Sequence, residues 1–224
     1  MSGIANNILK LKKELSSSVK LIAVSKTRPV EDILTAYEAG HKVFGENRVQ
    51  ELLSKKDHLP SDIEWHLIGH LQSNKVKLIV PFVSMIHSVD SFRLLSVIDA
   101  EAAKIGRIVN CLLQIHIGIE ETKFGFSMNE IDEMIVSEDF RRIKSVHICG
   151  VMGMATFTDD DGQVRNEFSL LAKYFNNLKS RYFNEVPYFS EISMGMSGDY
   201  KIAVQQGSTM VRIGSSIFGE RSRP

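Results

Sequence analysis

Apolar residues along the chain fall into short continuous runs, separated by longer segments in which apolar positions recur every three or four residues. Runs of this length predict buried strands, and the longer period predicts amphipathic helices. The predicted strands lie near residues 20–26, 42–46, 64–69, 84–89, 109–117, 144–153, 188–195 and 210–214. The clearest helical segments are "SFRLLSVIDAEAAKIG", "SMNEIDEMIVS" and "VRNEFSLLAKYFNNLKSRYF", and an earlier one places Ile4, Ile8, Leu11 and Leu15 on one face.

The alternation of strands and helices sets the expected fold class. Strand, helix and strand in succession imply parallel pairing through right-handed crossovers. Eight such units in 224 residues predict a small (β/α)8 TIM barrel, an α/β fold formed by residues 1–224 as a single domain. A doubly wound open sheet is the alternative, although the chain lacks the "GxGxxG" motif of its dinucleotide-binding version.

Polar residues follow the predicted strands in several places. Lys26 ends the first strand in "KLIAVSKTRP", and "FGENRVQE" and "HLIGHLQSNK" carry polar groups out of the second and third. The motifs "SMGMSGD" and "VRIGSSIFG" leave the seventh and eighth strands. Because the carboxyl ends of all strands meet at one face of a barrel, these motifs predict a functional site there.

Lys26 is the most reactive candidate in that site. A lysine rooted in an apolar strand is partly desolvated, which disfavours the charged ammonium and leaves some neutral amine to attack a carbonyl. Schiff-base formation is the chemistry that uses such an amine best. A salt bridge on the barrel rim is the alternative interpretation.

Small residues near strands seven and eight suggest an anion site. In "SMGMSGDYKIAVQQG" they lead directly into a helical segment, so backbone N–H groups there would face a ligand, and Gly214 with Ser215 offers a second set. The alternative interpretation is that these glycines only allow the chain to make tight turns. Arg212 in "MVRIG" requires a partner, either a carboxylate or a ligand acceptor. Together, the lysine, the phosphate cradle and the arginine suggest pyridoxal 5′-phosphate (PLP) as ligand.

Composition narrows the partners and the compartment. The 27 basic residues balance 27 acidic ones, so no overall field favours nucleic acid or an anionic membrane. Cys111 and Cys149 lie inside apolar runs and predict buried free thiols, and without a leader or membrane-spanning run we expect a cytoplasmic protein. The histidines of the strands lack metal-ligand spacing, so no metal site is predicted. They are His66, His87, His116 and His147.

Seven motifs together resemble one family over nearly the whole chain. They are, in order, "AVSKTRP", "VFGENRVQE", "WHLIGHLQSNK", "IHSVD", "ETKFGF", "ISMGMSGD" and "VRIGSSIFG". This series resembles the pyridoxal phosphate homeostasis protein (YggS/PROSC) family. The resemblance implies a barrel like the N-terminal domain of bacterial alanine racemase, without that enzyme's C-terminal β-domain. It also implies that Lys26 holds PLP as an internal aldimine.

The same resemblance assigns further cofactor-binding residues. The phosphate would be held by Ser197, Gly198, Gly214 and Ser215. Arg212 would face the pyridine nitrogen, where it makes the ring a weaker electron sink than a carboxylate would. Asn47 and Met194 would line the ring's pocket. The chain departs from the family pattern at His116, where many members have asparagine, and at Ser215, where threonine is common.

The resemblance implies a protein that carries or buffers PLP rather than an enzyme, with no catalytic residue. Its partners would be PLP, other B6 vitamers and PLP-dependent apoenzymes, and we expect a monomer. One alternative is an amino-acid racemase that uses Lys26 as a base, which requires a second acid/base on the opposite face of the cofactor. The tyrosines do not fall at suitable positions; they are Tyr37, Tyr174, Tyr182, Tyr188 and Tyr200. A Schiff-base aldolase, with Glu46 or Asp90 as its acid/base, is the other alternative.

Overall fold

The computed structural model describes residues 3–119 and 124–220, and these form a closed barrel of parallel strands with helices around it. The strands are β1 Lys20–Val24, β2 Val43–Glu46, β3 Glu64–Leu67, β4 Met85–Val89, β5 Val109–Gln114, β6 Val146–Met152, β7 Glu191–Ser193 and β8 Met210–Ile213. The helices are α1 Gly3–Glu14, α2 Val30–Glu38, α3 Val49–Lys56, α4 Val76–Ile79, α5 Phe92–Lys104, α6 Met128–Val136, α7 Glu138–Arg141, α8 Asp161–Tyr182, α9 Tyr200–Gln205 and α10 Ser215–Phe218, with a 3-10 turn at Ser73–Lys75.

Strand pairing confirms the predicted TIM barrel. Within the described residues, each of the eight strands pairs in parallel with its sequence neighbour, and β8 returns to pair with β1, where Ile22 lies opposite Arg212. An open sheet would leave two unpaired edges, so the doubly wound alternative is wrong. The predicted strands are all present. β1 is shorter than expected and ends at Val24, which places Lys26 in the turn that follows it.

Two buried clusters account for the apolar runs. The larger one fills the layer between the barrel and its helices, and it contains strand residues such as Phe44 and helix residues such as Leu52 and Phe168. The smaller one contains strand residues only, so it lies inside the barrel: Ile22, Met85, Leu112, Cys149, Met152 and Met210. Because each strand of a covered parallel barrel is buried on both faces, its sequence reads as a continuous apolar run.

Side-chain caps fix where several helices begin. Ser91 accepts the Leu94 N–H at the start of α5, and Asp160 accepts the N–H groups of Gly162 and Gln163 at the start of α8. Such caps satisfy donors that the first turn of a helix leaves unpaired. Both cysteines are buried and free, as expected. None of the helices in the described part of the chain is long and apolar enough to cross a membrane.

Candidate functional site

A cavity of about 390 Å³ opens at the carboxyl end of the barrel. It brings together seven of the eight residues expected to hold the ligand: Lys26, Asn47, Ser197, Gly198, Arg212, Gly214 and Ser215. They come from the loops after β1, β2 and β7 and from the end of β8. The volume is within the range of small-molecule sites. The convergence of four motifs that are far apart in sequence makes this cavity the candidate functional site.

Met194 is the expected residue that the structure does not bring to the cavity wall. Its side chain is fully buried in the larger core cluster, and its backbone N–H donates to the Met210 carbonyl. Met196, two residues later, lies on the wall instead. Ile192 and Met194 both belong to the larger cluster, while Ser193 between them bonds Arg212 inside the barrel, so strand alternation continues through Met194 and directs its side chain away from the cavity. Gly195 then turns the chain with a φ of +94°, and Met196 follows that turn.

The wall also contains residues for which the sequence offered no specific signal. Strand ends and loops supply Val24, Arg28, Ile68, Met154, Phe157, Met196 and Gly219. Arg28 donates hydrogen bonds to the carbonyls of Gly219 and Glu220, which joins the first loop to the last. Lys26, Arg28 and Arg212 are the ionisable side chains on the described wall, so the cavity is suited to an anionic ligand.

Arg212 is held by the barrel rather than by a carboxylate. Its guanidinium donates to the Ser193 carbonyl and hydroxyl at 2.8 and 2.7 Å, and to the Gly153 carbonyl at 3.0 Å. Burial lowers the pKa of Arg212 to about 10, an effect that Asp199 opposes. These bonds use three of the five N–H donors of an arginine, which leaves two donors outside them.

A buried polar chain continues from Arg212 into the barrel. Ser193 Oγ lies 2.9 Å from His87 Nδ1, and His87 Nε2 lies 2.8 Å from His66 Nδ1. Both histidines are almost fully buried, and desolvation lowers the pKa of each, that of His66 to about 3. Both rings are thus hydrogen-bonded inside the barrel. Among the described residues, no group of His, Cys, Asp or Glu is arranged to hold a metal.

The buried imidazole of His66 predicts a loss of stability in acid. Its pKa is about 3 when folded and 6.5 in the unfolded reference, so between these values only the unfolded chain binds the proton. The free energy of unfolding therefore falls as pH decreases from 6.5 towards 3, by about 2 kcal/mol from His66 alone at pH 5. Urea unfolding at pH 7 and pH 5 measures this. His66→Leu should lose about 2 kcal/mol less over that interval, and equal losses in both proteins would contradict the assignment.

The loops after β7 and β8 meet through Ser197. Its hydroxyl oxygen accepts hydrogen bonds from the N–H groups of Gly214 and Ser216, at 3.2 and 3.5 Å. An oxygen therefore already lies in front of the amides that begin α10. The Asp199 carboxylate does not bond these amides; it accepts the Met196 N–H within its own loop, at 2.5 Å. Burial raises the pKa of Asp199. Two backbone amides and the hydroxyls of Ser197 and Ser215 are thus gathered at one end of the cavity.

Gly195 and Gly198 provide a matched pair that tests how tightly this loop is packed. A Cβ on Gly195 would lie 2.6 Å from the Ala203 Cβ at a φ of +94°, whereas one on Gly198 would meet nothing within 4 Å. We expect Gly195→Ala to lower the free energy of unfolding by about 2–4 kcal/mol. Gly198→Ala should stay within about 0.5 kcal/mol of the parent. Urea unfolding of the ligand-free chain distinguishes them, and equal stabilities would contradict the packing described here.

Other sequence candidates lie off the described wall. Glu46 is fully buried, and its carboxylate is bonded to Ser25 and Lys55. Asp90 accepts a hydrogen bond from His70. None of the five tyrosines is among the residues that line the cavity, and neither is His116.

Comparisons with known proteins agree with this geometry. Residues 1–222 match the family model "Alanine racemase, N-terminal domain". A pyridoxal phosphate homeostasis protein of Aquifex aeolicus is 39% identical over 203 residues, which cover 90% of this chain and 87% of that protein. PipY of Synechococcus elongatus, solved with PLP bound, is 34% identical with a TM-score of 0.87, over 96% of this chain and all of that one. Alanine racemase of Clostridium difficile shares the fold, with a TM-score of 0.75, 15% identity, and coverage of 99% of this chain but 60% of its own.

Proposed function

The chain belongs to the pyridoxal phosphate homeostasis proteins, which share the fold of the alanine racemase N-terminal domain, and on this premise we propose that it carries PLP covalently on Lys26. The observation that supports this best is the single cavity wall that joins Lys26 to the Ser197 and Gly214 loops and to Arg212. An amine, an anion cradle and a ring-nitrogen partner are the three features that a phosphorylated pyridine aldehyde requires.

The residues present fit this cofactor. At one end of the cavity the Ser197 oxygen occupies a position in front of the Gly214 and Ser216 amides, which is the kind of acceptor that a phosphate oxygen provides. Arg212 retains N–H donors for the ring nitrogen after bonding Ser193 and Gly153. We assign the phosphate to Ser197, Gly198, Gly214 and Ser215, and the face of the ring to Asn47.

Lys26 would supply the covalent link. Its Nζ would be the nucleophile for the aldehyde carbon, and the C=N bond would form with release of one water. Arg212, as an N–H donor rather than an acceptor, would leave the ring nitrogen without a proton. The cofactor would then withdraw electrons only weakly, which favours storage over carbanion chemistry. Arginine transfers protons poorly near neutral pH, so the cationic wall is better suited to retaining an anion than to proton transfer.

Loading and chemical trapping test this proposal. The purified protein is incubated with PLP, its visible spectrum is recorded, and borohydride then fixes the C=N bond before peptide mass mapping. We expect an absorption band that reduction removes, and a pyridoxyl-phosphate adduct on the peptide that contains Lys26. A protein that cannot be loaded, or an adduct spread over many lysines, would contradict the proposal.

The role in the cell follows from reversible binding. We propose that the loaded chain acts as a monomer, buffers PLP and other phosphorylated B6 vitamers in the cytoplasm, and supplies PLP-dependent apoenzymes. Buried free thiols suit that reducing compartment. Mixing loaded protein with an apoenzyme, in the presence of a scavenger of free PLP, tests transfer. Recovery of enzyme activity supports delivery, and complete loss of PLP to the scavenger contradicts it.

A further inference from the structure

A buried charged cluster lies directly beneath the turn that carries Lys26. Its centre is Lys55 on α3, whose side chain is 8% exposed and forms ion pairs with Glu46 and Glu51 at 2.8 and 2.6 Å. The Ser25 hydroxyl donates to the same Glu46 oxygen at 2.6 Å. None of these groups lines the described cavity wall, and the function proposed above does not use them.

The cluster binds both peptide groups that flank Lys26. Lys55 Nζ donates to the Ser25 carbonyl at 2.9 Å, and Glu51 accepts the Thr27 N–H at 2.5 Å. The Ser25 carbonyl belongs to the peptide bond before Lys26, and the Thr27 N–H belongs to the one after it. Because the orientations of these two peptide planes define φ and ψ at Lys26, the cluster fixes the direction in which the lysine side chain leaves the backbone.

Thr27 gives a second sign that this turn is held in place. Its φ is +64°, and it is the only residue other than glycine with a positive φ in the described part of the chain. A β-branched residue is disfavoured in the left-handed region and persists there only when its surroundings impose it. The bond from Thr27 N–H to Glu51, on the neighbouring helix, is a direct constraint of that kind.

The Lys55 ammonium compensates the carboxylates of the cluster. Glu46 is fully buried, and burial raises its pKa against the opposing effect of its bonds to Lys55 and Ser25. Its Oε2 atom has no hydrogen-bond partner among the described residues. Loss of Lys55 would therefore leave a buried carboxylate with only the Ser25 hydroxyl, and would release the Ser25 carbonyl at the same time.

We infer that Lys55, acting with Glu51, is a positioning residue that holds the Lys26 turn so that Nζ points into the cavity. The inference rests on the proposed function, in which Lys26 forms the covalent link. Lys55 itself neither contacts the ligand nor takes part in the chemistry. Its contribution is to the geometry of the amine, and not to the phosphate cradle formed by the loops after β7 and β8.

Two ligands separate these contributions. PLP requires both the cradle and the amine, whereas pyridoxine 5′-phosphate has the same ring and phosphate but no aldehyde. We expect Lys55→Met to weaken PLP binding about 10- to 100-fold, because displacement of a reacting group by about 1 Å has an effect of that size. Binding of pyridoxine 5′-phosphate should be unchanged. The pH midpoint of the absorption change in the PLP-loaded variant should also shift. Lys56→Met is the matched control, since Lys56 is next in the helix and pairs with Asp57 outside the cluster.

A second variant covers the case in which Lys55→Met does not fold. Glu51→Gln keeps the size of the side chain and removes the charge, and it should give a weaker effect of the same kind. Normal PLP affinity and an unchanged pH midpoint in a folded Lys55 or Glu51 variant would overturn the inference, as would an equal loss for both ligands. If the wild-type chain binds both ligands equally and forms no adduct, the proposed function itself has failed.

Discussion

Lys26→Ala should abolish the covalent attachment of PLP while leaving the barrel folded. The side chain lies in the turn after β1 on the cavity wall, and the substitution removes the amine without disturbing the strand that precedes it. The absorption band of the C=N bond and the borohydride-stable adduct should both disappear. The variant should retain noncovalent affinity for PLP close to the wild-type affinity for pyridoxine 5′-phosphate, because the cradle and Arg212 are untouched.

Lys20→Ala is the control for that experiment. Lys20 begins the same strand, is exposed, and lies at the opposite end of the barrel from the cavity. Its removal should leave the spectrum and the adduct as in the wild type. An adduct that persists in Lys26→Ala, or one lost equally in both variants, would show that another amine or nonspecific lysine chemistry accounts for the trapping.

The fold and the location of the site are predictable from the sequence for a physical reason. Parallel strands covered on both faces must be apolar throughout, so the barrel strands stand out as continuous runs, and turn residues punctuate them. Barrel topology then assigns every strand end to one face. That reasoning brings Lys26, Ser197 and Gly214 together without knowledge of any contact, and the described cavity contains all three.

The parts that the sequence does not predict depend on long-range geometry. Met194 follows β7 on the outward face that it shares with Ile192, and Met196, beyond the positive-φ turn at Gly195, lies on the cavity wall instead. The sequence leaves the partner of Arg212 open, because the backbone carbonyl of Gly153 comes from a different strand loop. The Lys55 cluster is equally hidden, since a lysine in the last turn of a helix reads as a solvated residue.

The structure places two different kinds of support around the same cavity. Beneath Arg212, neutral groups extend the network into the lumen through Ser193 and His87. Beneath Lys26, the support is ionic and comes from Lys55 and Glu51 of α3 together with Glu46 of β2. Hydrogen-bond acceptors orient the planar guanidinium of Arg212. At Lys26, by contrast, the hydrogen bonds are made to the peptide groups on either side of the residue. The Lys26 turn and Arg212 are therefore held by independent means, and variants beneath one should leave the other intact.

The phosphate cradle should make PLP bind about 100-fold more tightly than pyridoxal, which carries the same aldehyde. Two charge-assisted hydrogen bonds at about 1.5 kcal/mol each account for roughly 3 kcal/mol, or about two decades of affinity. Ser197→Ala should remove about tenfold of the PLP affinity, because its hydroxyl has its own O–H to donate to a phosphate that lies beside the Gly214 and Ser216 amides.

Pyridoxal makes the measurement a thermodynamic cycle. Because it lacks the phosphate, its affinity should be the same for the parent and for Ser197→Ala, and the difference between the two ligands isolates the Ser197–phosphate interaction. Titration followed by the absorption of the C=N bond gives all four affinities. Equal affinities of the parent for PLP and pyridoxal would place the phosphate outside these loops. An equal loss of both ligands in the variant would mean that Ser197 shapes the loop rather than binding the anion.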